Sequence, residues 1–322
     1  MPRTLVVAPN WIGDALMAQP LLARLREKQP DAPIDVVAPP WVAPVARRMP
    51  EVDEVIEAPF RHGALQLGER WRLGRALKGR GYAHAIVLPN TWKAALTPFF
   101  ARIPLRSGYV GEARYGLLNL LYEKGGGGMR EHYARLADAP GTTLPEQLPA
   151  PSLRVDPARI ASAKERFGVL EPYVALCPGA EYGPAKRWPY FAELAGRLGM
   201  PAVLLGSSGD AAAAEGVAGI NLVGKTTLDE AIDLIAGARV VVSNDSGLMH
   251  VAAALGRPLV ALYGSSSPQK TPPQSPWGSV RPRVLWLHIE CSPCYQRECP
   301  LGHFRCMREL PVDRVLQEIA AA

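Results

Sequence analysis

No stretch of the 322-residue chain reaches the roughly 18 uncharged apolar residues that a membrane-spanning helix needs. The opening Met1-Pro2-Arg3-Thr4, followed by Leu5-Val6-Val7-Ala8, carries too short an apolar run for a signal peptide and suits a buried strand instead. These absences point to a soluble, intracellular protein. No long Lys/Arg block occurs, and no aromatic-rich RNA-binding strand, so no nucleic-acid partner is expected despite a formal charge of +6. The basic surplus either suits an anionic partner, such as a phosphorylated substrate or an acidic lipid, or is simply a basic surface.

Cysteine is scarce. Of five cysteines, Cys177 stands alone, and Cys291, Cys294, Cys299 and Cys306 form a C-x2-C-x4-C-x6-C cluster. A cytoplasmic setting argues against stable disulfides. Four thiolates could bind zinc tetrahedrally, or reduced thiols could pack a Pro/Gly-rich loop. The spacing is looser than that of a paired C-x2-C metal site, which favours packing.

What is present is ordinary globular material: 48% hydrophobic and 20% charged residues, over a length that suggests two domains. Strand-like runs at Leu5–Ala8, Ile34–Val37, Asp53–Glu57 and Ala85–Leu88 alternate with helix-like runs at Ala15–Lys28, Trp41–Met49 and Trp71–Arg80. Such alternation implies a parallel sheet. From Ser107 to Gly128, tyrosines and basic residues run into four glycines, which predicts a mobile loop before a helix at Arg130–Ala137. Prolines at 140, 145, 149, 151 and 157 mark a linker. Strand-like runs then resume at Tyr173–Cys177, Ala202–Leu205, Asn221–Val223, Val240–Ser243 and Leu259–Tyr263. The helix-like runs between them are Ser162–Phe167, Pro189–Leu198, Ala211–Val217, Leu228–Ala236 and Leu248–Leu255. A loop-rich segment follows, and a last helix spans Val312–Ala320.

Gly219-Ile220-Asn221-Leu222-Val223-Gly224-Lys225-Thr226 matches the P-loop pattern, but an Ala-rich helical run precedes it and Ile220–Val223 reads as a strand. A P-loop needs a strand ending at its first glycine. The better reading is strand, turn, then a helix capped by Thr227 with Glu230 at capping-box spacing.

Three other segments carry chemistry. Pro9-Asn10-Trp11-Ile12-Gly13-Asp14 leaves the first strand and enters a helix. Asp14 reads either as a charge favoured at a helix N-terminus or as a general base at the strand's carboxyl end. Residues 177–189 leave another strand through a Gly/Pro-rich loop that could bring Lys186 and Arg187 to an anion, with Trp188 pinning the loop and Pro189 opening a helix. Ser243-Asn244-Asp245-Ser246-Gly247-Leu248-Met249-His250 joins a strand to a helix whose free N–H groups could hold phosphate, or could simply be capped by Asp245 or Ser246. His250 reads as a packed core histidine.

Together these segments resemble glycosyltransferase family 9, the heptosyltransferases that build the inner core of lipopolysaccharide. The tail from Cys291 to Met307 shares the likeness, which spans nearly the whole chain. The resemblance implies an α/β chain with a GT-B fold, two Rossmann-like doubly wound domains facing an interdomain cleft. Residues 1–150 would bind the acceptor and 151–322 the ADP-sugar donor, with the final helix packing back on the first domain. It further implies inverting, metal-independent transfer, without a cofactor, from ADP-L-glycero-β-D-manno-heptose. The acceptor would be the first heptose of an anionic Kdo2-lipid A core, met at the cytoplasmic face of the inner membrane. Asp14 would be the catalytic base. Lys186 would hold the donor phosphates, Asp245 the heptose, Ser246 and Gly247 the diphosphate, and Thr226 would line the adenine pocket. Asn10, Arg106 and Arg114 would meet the acceptor. Glu181 and Tyr182 stand on the donor side where first-heptose transferases have paired threonines, which favours addition of the second heptose. The alternatives are a GT-B enzyme with another nucleotide-sugar donor, or a non-catalytic nucleotide-binding module.

Overall fold

The computed structural model describes residues 2–61 and 63–322. The chain forms two compact units, one reaching to Pro149 and the other starting at Ala150. In the first unit, six strands form one parallel sheet: β1 (Arg3–Val7), β2 (Ile34–Ala38), β3 (Glu54–Glu57), β4 (Tyr82–Val87), β5 (Leu105–Tyr109) and β6 (Leu120–Tyr122). Their order is β3-β2-β1-β4-β5-β6. The second unit holds β7 (Val174–Cys177), β8 (Ala202–Leu204), β9 (Ile220–Asn221), β10 (Val240–Asn244), β11 (Leu259–Tyr263) and β12 (Arg283–Trp286), in the order β12-β11-β10-β7-β8-β9. Counted from its own first strand, each sheet therefore runs 3-2-1-4-5-6. The chain reverses its winding direction between β1 and β4, and again between β7 and β10. In such sheets ligands settle at the carboxyl ends of the strands, at that switch point.

Helices cover the faces, so the central strands are apolar throughout rather than alternating. Leu5, Val87, Leu176, Val242 and Leu262 are all buried. Local chemistry fixes where several elements begin. Asp156 accepts the Ala158 N–H at 2.9 Å with Pro157 in the first turn, so the last linker proline opens the helix Pro157–Phe167. Thr227 and Glu230 form a reciprocal capping box at the helix Leu228–Gly237. With β9 at Ile220–Asn221 ahead of it, the P-loop-like segment is indeed a strand, a turn and a capped helix.

Several expectations are corrected. The helical run Ala15–Lys28 is two helices, Ile12–Met17 and Gln19–Lys28, because Pro20 sits in the first turn of the second. The stretch from Ser107 to Gly128 is not one loop: β5 and β6 pair within it, anchored by the buried Tyr109 and Tyr122. Ala211–Val217 gives way to a 3-10 helix at Ser208–Ala214. The loop-rich tail contributes an extra strand, β12. The last helix, Val312–Ala320, belongs to the second unit. Its Val312 and Val315 enter the core of the second unit with Trp188, Leu262 and Met307.

Burial also sets protonation. His84, hydrogen-bonded to Ser107 Oγ at 2.8 Å, is pushed down to about 4 by burial. His132, stacked face to face on Tyr109 with centroids 3.8 Å apart, falls to about 4 through burial and then the charges of Arg135 and Lys124. Both remain neutral in the fold, whereas an exposed histidine in the unfolded chain takes a proton near 6.5. Protons therefore favour the unfolded chain, and stability present above pH 6.5 is lost as the pH falls toward 4. A series of thermal melts between pH 7.5 and 4 should show this decline, with a shallower slope in His84→Asn. An unchanged slope in that variant would exclude His84 as a contributor.

Candidate active site

Lys186 follows β7 and Asp245 follows β10, so the switch point of the second unit brings them together. Lys186 Nζ lies 2.5 Å from Asp245 Oδ2, with side chains only 15% and 4% exposed. Ser266 Oγ donates to the same Asp245 oxygen from the loop after β11, and the Asp245 N–H donates to Leu262 O at 3.0 Å. Neither charge has much water around it, so each depends on the other.

The loop carrying Lys186 is held from several sides. The Trp188 N–H donates to Asn244 Oδ1 at 3.1 Å, and the indole Nε1 donates to Leu310 O at 2.9 Å. Asn244 Nδ2 donates to Pro178 O at 2.7 Å, tying the β10 end to the start of the loop. The Ala185 N–H donates to Arg297 O at 3.0 Å. Gly183 has φ +149°, and a Cβ there would collide with the carbonyl of Arg297, so only glycine fits. Trp188, at 2% exposure, pins the loop into the core as its sequence position suggested.

Ser246 is the N-cap of the helix Gly247–Ala254, but its side chain does not cap the helix. Its hydroxyl instead lies 3.3 Å from Ser243 Oγ. The first-turn N–H groups are therefore not capped by Ser246, and the positive end of the helix dipole stands beside Asp245 and its partner Lys186. That is an anion site in form. His250, one turn in, is buried and pushed down to about 4 by burial, against the pull of Asp245. It packs as a neutral ring.

Tyr182 joins this group: the Lys186 ammonium lies 4.9 Å from its ring centroid and its hydroxyl donates to Tyr295 O at 2.6 Å. Glu181 is exposed beside it. Thr226 lies on the bend after β9, the edge strand of the second sheet. Sequence reading missed Ser266, Asn244 and Arg297. The signal for the first was Gly264-Ser265-Ser266-Ser267 directly after a strand, with all three serines buried.

In the first unit, Asn10 and Asp14 follow β1 at its switch point. Asp14 is half-buried in the first turn of the helix Ile12–Met17. It lies near the buried Tyr133, whose phenol is raised by burial first and by the Asp14 charge second. Arg106 is half-buried and Arg114 buried, and both guanidinium groups are hydrogen-bonded within the unit. Arg114 is 2% exposed, and its guanidinium donates to Pro89 O at 2.6 Å, to Asn90 Oδ1 at 2.7 Å and to Tyr109 O. Arg106 donates to Leu117 O at 2.7 Å and Ile103 O at 2.6 Å. Both arginines brace backbone that would otherwise leave carbonyls unpaired.

The four clustered cysteines are free thiols, and among the described residues no three His, Cys, Asp or Glu side chains are set to hold a metal ion. Burial, then Cys291, Cys294 and Cys299, push the Cys306 thiol up to about 11.

Two doubly wound parallel units of this strand order give the GT-B architecture, and Lys186 beside a helix N-terminus at the second switch point suits an anion. The profile of glycosyltransferase family 9 (heptosyltransferase) matches residues 70–305. Lipopolysaccharide heptosyltransferase 2 of Escherichia coli K12 is 43% identical over 344 aligned residues, covering 99% of this chain and 98% of that protein. Lipooligosaccharide heptosyltransferase 2 of Haemophilus influenzae is 45% identical over 297, covering 84% and 86%. The solved structure of E. coli ADP-heptose lps heptosyltransferase II superposes with a TM-score of 0.86 at 40% identity, over 99% of this chain and 98% of that one. The chain belongs to glycosyltransferase family 9.

Removing one partner of the buried pair should cost more than removing both. Lys186→Met is expected to destabilise the protein by about 3 kcal/mol in urea unfolding, because Asp245 stays buried and charged. Adding Asp245→Leu should recover most of that loss. Equal or additive losses would contradict mutual dependence of the two charges.

Proposed function

We propose that the chain moves L-glycero-D-manno-heptose from ADP-heptose to the first heptose of a Kdo2-lipid A core, by inverting, metal-independent transfer. The observation that carries this reading is the uncapped helix start at Ser246 and Gly247 beside Lys186 and Asp245. Identity of 43% to a relative named lipopolysaccharide heptosyltransferase 2 supports the heptose donor and the second-heptose acceptor.

In the proposed reaction Asp14 takes the proton of the acceptor hydroxyl. The freed oxygen bonds to the anomeric carbon from the face opposite the diphosphate, and the bond to the diphosphate oxygen breaks as ADP leaves. The charge that collects on ADP is met by Lys186 and by the N–H groups of Ser246 and Gly247, all oriented beforehand. Asp245 orients Lys186 and contacts the donor heptose. Tyr182 and Glu181 border the donor, and Thr226 lines the adenine pocket further along the sheet edge. Asn10 lies on the acceptor side. No step requires a metal or a cofactor.

Among the described residues no helix is long and apolar enough to cross a membrane. We accordingly place the protein in the cytoplasm, in peripheral contact with the inner-membrane surface where a lipid-anchored acceptor is exposed. The net charge of +6 favours such a surface.

Asp14→Asn removes the base and keeps the side-chain shape. Its kcat should fall about 10²- to 10⁴-fold with little change in the KM for ADP-heptose, and a chelator should leave the wild-type rate unchanged. A kcat near that of the wild type would remove Asp14 from the mechanism, and loss of activity with chelator would overturn metal independence.

A further inference from the structure

Three tryptophans stand open at the carboxyl edge of the first sheet. Trp11 follows β1, Trp41 follows β2 and Trp92 follows β4, with exposures of 41%, 39% and 41%. Because β1 pairs with both β2 and β4, the three loops are neighbours around the central strand and flank the switch point. An indole left this far in water forgoes much of the stabilisation its burial would bring, and three do so at one edge.

These loops are held rather than slack. Trp41 Nε1 donates to Asn10 O at 2.7 Å, which ties the β2 loop to the β1 loop. The Trp92 N–H donates to Glu112 Oε2 at 3.0 Å, and the next residue, Lys93, donates to Gly63 O at 2.8 Å. Arg114 fixes Pro89 and Asn90, just ahead of Trp92. The Arg114 guanidinium is spent on these loops, so the exposed indoles are the large apolar surface at this edge.

We propose that Trp11, Trp41 and Trp92 form a platform on which the pyranose rings of the acceptor saccharide stack, next to Asp14. A pyranose presents a face of C–H groups with slight positive charge, and an indole presents the negative face of its quadrupole. Stacking discriminates little between sugars by itself. Its contribution is to hold the acceptor ring so that one hydroxyl stays near Asp14. The inference rests on the reading that the acceptor is a carbohydrate.

The test compares wild type with Trp11→Ala, Trp41→Ala and Trp92→Ala, and with the corresponding Phe variants. Deacylated heptosyl-Kdo2 saccharide serves as acceptor, which removes any lipid contribution. Each Ala variant should raise the acceptor KM about tenfold, the equivalent of about 1.4 kcal/mol of lost stacking, while ADP affinity and donor KM stay within about twofold. The Phe variants should recover most of the loss. Trp41→Phe keeps a ring and loses only the bond to Asn10, which separates stacking from loop positioning. Unchanged acceptor KM in all three Ala variants, or parallel loss of ADP binding, would overturn the platform while leaving the transferase reading intact. If the wild type transfers no heptose, that reading fails, and a fluorescence titration with the same saccharide decides the platform alone. Binding weakened by the Ala variants supports it, and absent or unaltered binding overturns it.

Discussion

A lysine and an aspartate held 2.5 Å apart with almost no water around them set the terms for the second unit. Such a pair is tolerable only if both partners are fixed and their remaining hydrogen-bonding capacity is met. Much of the surrounding structure serves that need. Ser266 donates to the aspartate, Trp188 anchors the lysine loop in the core, and Asn244 bonds both ends of that loop. Next to the pair, Ser246 turns its hydroxyl to Ser243 and leaves the following helix without its side-chain cap. In the proposed reaction a diphosphate would meet N–H groups and an ammonium already in position, with little reorganisation left for the moment of reaction. Stability and chemistry are thus served by the same contacts.

The first unit solves a different problem on the same strand order. Its buried arginines, Arg114 above all, turn inward to satisfy carbonyls and so shape the loops after β4 and β5. Guanidinium groups used in this way give rigidity rather than charge. Asp14 is half-buried at this edge, and three indoles there are exposed. A base and aromatic surfaces suit a neutral hydroxyl-bearing ring. A lysine and a helix N-terminus suit a diphosphate. The two switch points therefore differ in chemistry.

Much of this was legible in the sequence, for physical reasons. Runs such as Leu5–Ala8 and Val240–Ser243 bury both faces, and only central parallel strands do that. Thr227 and Glu230 announce a helix start through a local bond that needs no tertiary context. Trp188 reads as a pin because an indole beside two cations has little reason to sit in a free loop. Other features depended on long-range partners and were hidden. Arg106 and Arg114 look like anion binders in a basic, Tyr-rich stretch. Only the fold reveals that Pro89, Asn90 and Tyr109 already occupy the Arg114 guanidinium. Strand β12 is short and half exposed, and its signal is lost among prolines. Pro20 breaks a helix whose apolar spacing continues across the break. Ser266 acts through a partner 21 residues away, a contact no local pattern records.

The most direct measurement is the mass gained by two acceptors, Kdo2-lipid A with no heptose and the same lipid bearing one, each incubated with the wild-type protein and ADP-heptose. One added heptose is expected on the heptosylated acceptor and none on the bare one. Transfer to the bare acceptor in preference, or to neither by a folded protein that still binds ADP, would contradict it.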